Sequence, residues 1–213
     1  MLALDLTPKK ILETTNNFFE DEPKLKLSND VVQPIGTEHY MFLASLSVQL
    51  KNKTIIELGT HKGVSSYILG YGNRFYNSNN NILTYDIIKF PMPFEDTINV
   101  KYKLEDLFDP KIREENRDLL LNSDVIFIDI DPHEGILEYN MYEWLKSNKY
   151  DGIIIFDDVK LGRGHMGSTS EFSMSEFWEK IPSSEKIDLT SVGHWSGTGI
   201  IYFNNNKNNI IFD

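Results

Sequence analysis

The chain has 213 residues, of which 40% are hydrophobic, so it can bury one good core but is short for two independent domains. Its formal net charge is −11 at pH 7, and such a field would repel a phosphate backbone, which predicts no nucleic-acid partner. It contains no Cys, which excludes disulfides, thiolate metal sites and cysteine nucleophiles.

The first fifty residues predict a helical cap in front of a larger core. Thr7-Pro8 is typical of a helix start, and the apolar residues that follow would line one face of a first helix: Ile11, Leu12, Phe18 and Phe19. Thr37 and Glu38 are predicted to open a second helix that leads into the first core strand. The start of the chain lacks a signal pattern, and no run is long enough to span a membrane, so we expect a soluble cytoplasmic protein.

From residue 51 onward the sequence predicts alternating strands and helices. The predicted strands are 54–58, 82–86, 98–104, 124–129, 152–156, 186–192 and 198–203. The predicted helices are 63–70, 111–121, 135–147 and 173–180. This alternation predicts a mostly parallel sheet with helices on both faces. The last two strands flank a short segment that contains His194 and Trp195, so we expect an antiparallel hairpin there.

A loop with two glycines follows the first of these strands. Gly59 and Gly63 let the backbone turn sharply and approach a ligand. A dinucleotide fingerprint would need glycine at Glu57, so a nicotinamide cofactor is disfavoured. The pattern E-x-G-x-x-x-G resembles the first motif of the class I S-adenosylmethionine-dependent methyltransferases. This resemblance implies that S-adenosylmethionine binds at Glu57, Gly59, Thr60, His61 and Gly63.

Acidic residues stand at the predicted carboxyl ends of five strands, where open α/β sheets bind ligands. They are Glu57, Asp86, Asp106, Asp129 and the pair Asp157-Asp158. Asp86 is predicted to accept hydrogen bonds from ribose hydroxyls, although an acid that only caps a turn is the alternative. The methyltransferase resemblance implies that Asp106 lies near the adenine ring, with Glu105 an equal candidate, and that Asp129 borders the cofactor.

The segment from residue 125 to 134, VIFIDIDPHE, predicts a second functional region. Pro132 restricts Asp131 to extended geometry, so Asp129 and Asp131 project to the same side, where their repulsion raises one pKa or calls for a cation. Asp157 and Asp158 add carboxylates from the neighbouring strand, and oxygen ligands suit Mg²⁺. The pattern resembles small metal-dependent O-methyltransferases of the catechol and macrolide-sugar types. That resemblance implies Mg²⁺ at Asp129, Asp157 and Asp158, whereas helix capping is the alternative role for some of them.

His133 and Asp131 are the candidate catalytic residues. His133 resembles the histidine of an F-I-D-x-D-H stretch in sugar-modifying methyltransferases, although Pro132 intrudes before it here. A histidine near its ordinary pKa can take a proton from a hydroxyl. Asp131 and Lys160 are alternative bases, and an ordinary surface histidine is a further alternative. His194 and Trp195 would reach the acceptor pocket from the side or pack on their own sheet.

Together these patterns predict a Rossmann-like, doubly wound, seven-stranded α/β sheet with an antiparallel C-terminal hairpin. We expect one domain, 1–213, made of a cap (1–50), a core (51–203) and a polar tail (204–213). The expected activity is methyl transfer from S-adenosylmethionine to a hydroxyl of a small-molecule acceptor, a sugar or a phenol, with Mg²⁺ as an optional second cofactor. A non-catalytic protein on the same scaffold is the alternative, and a nicotinamide-dependent oxidoreductase is a distant one. A homodimer is compatible with the sequence.

Overall fold

Strands and helices alternate along the described residues of the structure, a computed structural model that covers 2–27, 34–91, 99–165, 170–203 and 209–212. The strands are β1 (Leu4–Asp5), β2 (Thr54–Leu58), β3 (Asn81–Asp86), β4 (Val100–Leu104), β5 (Val125–Ile128), β6 (Ile153–Phe156), β7 (Lys186–Asp188), β8 (Gly199–Tyr202) and β9 (Ile210–Ile211). The helices are α1 (Pro8–Thr14), α2 (Phe18–Asp21), α3 (Pro34–Gln49), α4 (Val64–Leu69), α5 (Tyr71–Tyr76), α6 (Pro110–Glu115), α7 (Arg117–Leu121), α8 (Ile136–Ser147) and α9 (Met174–Lys180).

Seven of the strands form one sheet in the order β4-β3-β2-β5-β6-β8-β7. The pairs from β4 to β6 are parallel, and β8 is antiparallel to both β6 and β7. The predicted mostly parallel sheet with an antiparallel hairpin is therefore confirmed. The strand order reverses between β2 and β5, where Leu58 pairs with Ile128. A crevice outside the carboxyl ends at such a reversal is the usual ligand site of an open α/β sheet.

Successive side chains of the central strands pack into two different cores. Ile55 belongs to the core that includes residues of α1 to α5, whereas Ile56 belongs to the core that includes residues of α7, α8 and α9. Burial on both faces explains the continuous apolar runs of β5 and β6. Among the described helices, none combines the length and the apolar character needed to cross a membrane.

Element bounds differ from the prediction mainly where helices break. The predicted first helix ends at Thr14, and Phe18 starts a separate helix. Ile11 is buried, but Leu12 is 60% exposed, so its predicted place on the buried face is wrong. The predicted helix 111–121 divides at Asn116, whose side-chain amide donates to the Ile112 carbonyl at 2.9 Å and competes with the helical pattern. Residue 98 of the predicted strand 98–104 lies outside the described residues.

A second, two-stranded sheet joins the early and late parts of the chain. β1 pairs with β9 in parallel, with Leu4 opposite Ile210. Residues 204–213 were expected to be a polar tail, yet Ile210 is buried with the core that includes α3. A strand of two residues is too short for a period-two pattern, and this explains why the sequence does not predict it.

The connection after β6 is held against the hairpin before β8. The backbone N–H of Val159 donates to the Gly197 carbonyl at 3.0 Å, and that of Lys160 donates to the Ser196 carbonyl at 2.8 Å. Gly197 has a φ of 107°, and a Cβ there would lie 2.8 Å from the Lys160 nitrogen, so the approach requires glycine. These two loops therefore meet beside the carboxyl end of β6.

Candidate functional site

The loop between β2 and α4 lies directly against the end of β5. Gly59 has a φ of 101°, and a Cβ at this position would lie 1.7 Å from the carbonyl oxygen of Asp129. No side chain fits such a gap, so only glycine permits the contact. The tight approach is thus to the chain itself, and the approach of Gly59 to a ligand stays a prediction.

Asp86, at the end of β3, holds this loop in position. Its Oδ2 accepts a hydrogen bond from the His61 backbone N–H at 2.7 Å, and its Oδ1 accepts one from the Ile88 backbone N–H at 2.9 Å. His61 has a φ of 46°, which is uncommon for a residue other than glycine. The turn role considered for Asp86 is thus present, and its role toward ribose stays a prediction.

Glu57 is fully buried and supports the loop from within. Ser66 Oγ donates a hydrogen bond to its Oε2. Its Oε1 is buried without a hydrogen-bond partner among the described residues. Burial raises the pKa of the Glu57 carboxyl. Hydrogen bonds from Ser65 and Ser66 lower this pKa, but by less than burial raises it.

A cleft of about 230 Å³ opens beside this loop. Five carboxylates line it, and no Lys or Arg does so in the described part of the chain; the acids are Asp86, Glu105, Asp106, Asp129 and Asp131. Asp106 Oδ1 accepts a hydrogen bond from the Phe108 backbone N–H at 2.9 Å, which fixes the loop after β4. An adjoining hollow of about 360 Å³ shares His61 and Asp86 and also contains Thr60, Lys89 and Lys103.

Three histidines and three aspartates, one of which is Asp129 of the cleft lining, lie close together. They form three overlapping groups whose potential ligand atoms lie within 4.8 Å of one another: His39-Asp129-Asp157, Asp129-His133-Asp158 and Asp157-Asp158-His194. Each group contains a histidine. The set predicted from the sequence, Asp129, Asp157 and Asp158, is not one of them. We call these six residues the histidine–aspartate cluster.

Asp157 and Asp158 share His194 as a partner but otherwise contact different side chains, although they are adjacent in the chain. Asp157 lies 3.8 Å from His39 Nδ1 and 3.3 Å from His194 Nδ1. Asp158 lies 3.0 Å from His133 Nε2 and accepts a hydrogen bond from Ser196 Oγ. Asp158 lies two residues after the end of β6 and has a φ of 61°, so the backbone turns sharply there. This turn explains why the geometry differs from three aspartates around one ion.

Burial and crowding of like charges set the protonation of the cluster. Burial raises the pKa of Asp129 well above its ordinary value, and the charges of Asp157 and Asp158 raise it further. Burial alone would also raise the pKa of Asp158, but hydrogen bonds from His133 and His194 hold it well below its usual range. Asp129 therefore has an unfavourable excess of negative charge around it, whereas Asp158 is well compensated.

Two of the histidines are held in the charged form. Burial lowers the pKa of His133, but the hydrogen bond and charge of Asp158 outweigh it and raise the pKa to about 9. Burial likewise lowers the pKa of His194, but hydrogen bonds with Asp157 and Asp158 raise it to about 10. Both imidazoles therefore carry a proton at pH 7.

His39 is the exception among the three. It is 5% exposed, and burial lowers its pKa, so its ring is neutral at pH 7. Its Nδ1 has no hydrogen-bond partner among the described residues. The ring centroid lies 5.1 Å from that of Tyr40 and 6.1 Å from that of Phe127, and these contacts fix its position over the end of β5.

Comparison with known proteins rests on structure, because the sequence matches no protein-family model and no curated protein. Similar solved structures include apo CmcI, with 14% identity and a TM-score of 0.55 over 81% of this chain and 72% of that one. CmcI with Mg-SAM has 13% identity and a TM-score of 0.54 over the same shares, 81% and 72%. An O-methyltransferase from Bacillus cereus in complex with SAH has 20% identity and a TM-score of 0.50 over 90% of this chain and 91% of that one.

The chain has a class I methyltransferase fold. Within this fold the residues predicted for the cofactor are only partly brought together. Those that line the cleft are Gly59, His61, Asp86, Asp106 and Asp129, and Thr60 lines the adjoining hollow. Glu57 and Gly63 line neither of the two. Their part in the methyltransferase fold is to shape the loop, because Glu57 is bonded to Ser66 and Gly63 precedes α4 with a φ of 75°.

The residues predicted for the metal lie in the cluster together with His133, whereas Asp131, the other predicted base, lies outside it and 3.1 Å from His133. The sequence missed one neighbour of this set. His133, Asp157 and Asp158 each join Asp129 in at least one group. The sequence does not predict His39, because its place depends on how α3 docks onto the sheet. No local sequence pattern predicts where a helix docks. The sequence predicts His194 beside the acceptor pocket or packed on its own sheet, and the structure shows that it contacts both Asp157 and Asp158.

Proposed function

We propose that the protein transfers a methyl group from S-adenosylmethionine to a hydroxyl of a small-molecule acceptor, a sugar or a phenol. The observation that carries this proposal is the charge of the cleft at the strand reversal. Five carboxylates line it without any Lys or Arg from the described residues. Such a cleft attracts the positively charged sulfonium of S-adenosylmethionine and repels the diphosphate of a nicotinamide dinucleotide.

The residues of the cleft fit this cofactor. Asp86 uses one lone pair of each carboxylate oxygen for backbone N–H groups, and the remaining lone pairs are available to ribose hydroxyls. Asp106 or Glu105 would accept from the adenine amino group, with Leu107 and Phe108 as apolar neighbours in the lining.

The cluster fits a divalent cation, and the fold neighbour CmcI with Mg-SAM supports testing one. Burial and neighbouring carboxylates raise the pKa of Asp129, and a cation would relieve this crowding. Asp129, Asp157 and Asp158 are the ligands that the sequence predicts, and Mg²⁺ stays the predicted ion. A bound divalent cation supplies positive charge beside the acceptor oxygen. Asp129 is the residue through which the two parts would cooperate, because it belongs to both the cleft lining and the cluster.

Asp131 and His133 are the candidates that collect the acceptor proton. His133 Nε2 lies 3.1 Å from Asp131 Oδ1, and the pKa of His133 is raised to about 9. In the metal-free protein His133 therefore keeps its proton at pH 7 and orients Asp131. The Asp131 side chain is 69% exposed and its residue lines the cleft, so we assign it the role of proton acceptor.

Isothermal titration calorimetry with S-adenosylmethionine tests the cofactor part of this proposal. We expect the full chain to bind it, and Asp86→Ala to weaken binding at least about tenfold through loss of two backbone contacts and the ribose acceptor. Asp118→Ala, which removes an exposed aspartate outside the cleft, is the matched control and should leave binding unchanged. Absence of binding by the unmodified chain would overturn the proposed activity.

Release of S-adenosylhomocysteine from a panel of sugars and phenols tests the acceptor class. We expect turnover with at least one hydroxylated acceptor and a loss of turnover after chelation. Full activity in EDTA would refute the role of a divalent cation and leave the proposed methyl transfer unaffected. Cofactor binding without turnover of any acceptor would instead support a cofactor-binding scaffold without chemistry.

A further inference from the structure

His39 brings a buried nitrogen without a partner into the histidine–aspartate cluster. Its side chain is 6% exposed, and its Nδ1 has no hydrogen-bond partner among the described residues. The nearest carboxylate oxygen recorded for it, Asp157 Oδ1, is 3.8 Å away, which is too long for a hydrogen bond. A buried polar nitrogen in this state lacks compensation for its lost hydration, which a bound ion or a water would supply.

One distance at His39 falls in the range expected for two ligands of one ion. Potential ligand atoms of His39, Asp129 and Asp157 lie within 4.8 Å of one another. Two ligands that are each about 2.1 Å from a metal ion lie roughly 3 to 4.2 Å apart, depending on the angle between them. The 3.8 Å between His39 and Asp157 falls in that interval.

In the other two groups of the cluster, the histidine nitrogen already has a carboxylate partner. His133 Nε2 lies 3.0 Å from Asp158, and His194 Nδ1 lies 3.2 Å from Asp158 and 3.3 Å from Asp157. These distances describe ion pairs in which each imidazole already has a carboxylate partner. His39 is thus the histidine of the cluster whose geometry leaves a nitrogen for a metal ion.

We propose that His39, Asp129 and Asp157 bind a transition-metal dication of the Zn²⁺ type in preference to Mg²⁺. Imidazole is a favoured ligand of zinc and its neighbours, whereas Mg²⁺ selects oxygen ligands and retains its water. Three protein ligands leave a coordination position open, as zinc sites with chemical functions do. This set replaces the predicted Mg²⁺ ligands Asp129, Asp157 and Asp158 with one that contains His39. The inference stands without methyl transfer, because metal binding needs neither cofactor nor acceptor.

Metal binding by the chelator-stripped full chain is the test. We expect one equivalent of Zn²⁺ to bind at least about 100-fold more tightly than Mg²⁺ in calorimetric titrations. Co²⁺ serves as the spectroscopic probe, because its visible ligand-field bands change when a nitrogen ligand is lost. Proton spectra of the Co²⁺ form should also show a strongly shifted imidazole N–H signal.

Variants assign the nitrogen ligand. His39→Asn and His39→Ala should each lower Zn²⁺ affinity at least about tenfold and shift the Co²⁺ bands, with a smaller change for Mg²⁺. His165→Ala is the matched control, because it removes a histidine outside the cluster and should leave both affinities unchanged. Thermal melts establish that each variant is folded, and Asp157→Asn is the second variant where a His39 substitution prevents folding.

Two results would overturn the inference. Zn²⁺ that binds no more tightly than Mg²⁺ would remove the preference for a transition metal. Unchanged Co²⁺ bands in folded His39→Asn would show that His39 is not a metal ligand and serves only in packing. A zinc site in a chain that does not bind S-adenosylmethionine would refute only the proposed methyl transfer, so the two failures are distinguishable.

Discussion

The cofactor cleft and the histidine–aspartate cluster meet at Asp129 but are assembled in different ways. The cleft is built largely from residues near β2, β3 and β4, which follow one another in the chain. The cluster joins α3, the ends of β5 and β6, and the hairpin before β8. Local sequence patterns therefore predict the cleft well, whereas the cluster depends on tertiary packing.

The two regions also neutralise their carboxylates differently. In the cleft, Asp86 and Asp106 accept hydrogen bonds from backbone N–H groups. In the cluster, Asp157 and Asp158 face imidazoles and hydroxyls. Substitution of the partner side chains should therefore alter the charge balance mainly in the cluster. A substitution that shifts the backbone should instead remove the hydrogen bonds that the carboxylates of the cleft accept.

Gly59→Ala should have the largest effect, because it breaks the contact at which the two regions meet. The new Cβ would lie 1.7 Å from the Asp129 carbonyl oxygen in a backbone with a φ of 101°. We expect a loss of at least about 3 kcal/mol in the free energy of unfolding, measured by urea denaturation. Gly162→Ala is the control, because its Cβ would meet no atom within 4 Å and should change stability by less than about 0.5 kcal/mol. Equal losses in both variants would contradict the close approach.

Ser66→Ala compared with Ser196→Ala should give the next largest difference. Ser66 donates to Glu57, whose other oxygen is already without a partner, so its loss should destabilise the fold by about 1 to 3 kcal/mol. Ser196 donates to Asp158, which keeps both His133 and His194, so its loss should be below about 1 kcal/mol. Denaturation curves of both variants measure the two losses in the free energy of unfolding. A larger loss for Ser196→Ala would contradict the inference that Asp158 is better compensated than Glu57.

Raising the pH should weaken the metal-free protein through the cluster. The pKa values of His133 and His194 are raised from 6.5 to about 9 and about 10. Their stabilising contribution is complete below pH 6.5 and is lost as pH rises through those raised values. Unfolding free energy in EDTA should therefore fall between about pH 6.5 and 10, by less than about 1.4 kcal/mol per pH unit for each histidine. Asp158→Asn should flatten this decline, and an unchanged slope would exclude Asp158 as the partner.

Asp131→Asn should have the smallest effect on stability, which separates a chemical role from a structural one. Its side chain is 69% exposed, so we expect a change below about 0.5 kcal/mol in the unfolding free energy. Under the proposed mechanism its kcat should fall about 100-fold with little change in the affinity for S-adenosylmethionine. An unaltered kcat would transfer the role of base to His133 or Lys160.

The sequence predicts the sheet because its signals are local. Apolar runs such as Ile153–Phe156 are buried on both faces, and the glycine loop follows β2 where the motif places it. The same local reasoning places Asp86 and Asp106 in the cleft. Each of these features depends on a few consecutive residues, which is why a single sequence suffices.

The sequence cannot predict features that need two distant elements. The β1-β9 pairing depends on residues about as far apart in the chain as its length permits, with only two residues in each strand. His39 depends on the docking of α3, and the separate paths of Asp157 and Asp158 depend on one left-handed residue. None of these leaves a periodic or compositional pattern.

The backbone contacts between the loop after β6 and the hairpin before β8 offer a reporter for the cluster. The amides of Val159 and Lys160 are bonded to the hairpin carbonyls of Gly197 and Ser196, directly after the aspartates and beside His194. An ion that draws Asp157 and its neighbours together would slow the opening of this pair of loops. Amide hydrogen exchange at these two positions would then follow occupancy of the site without any label or substrate.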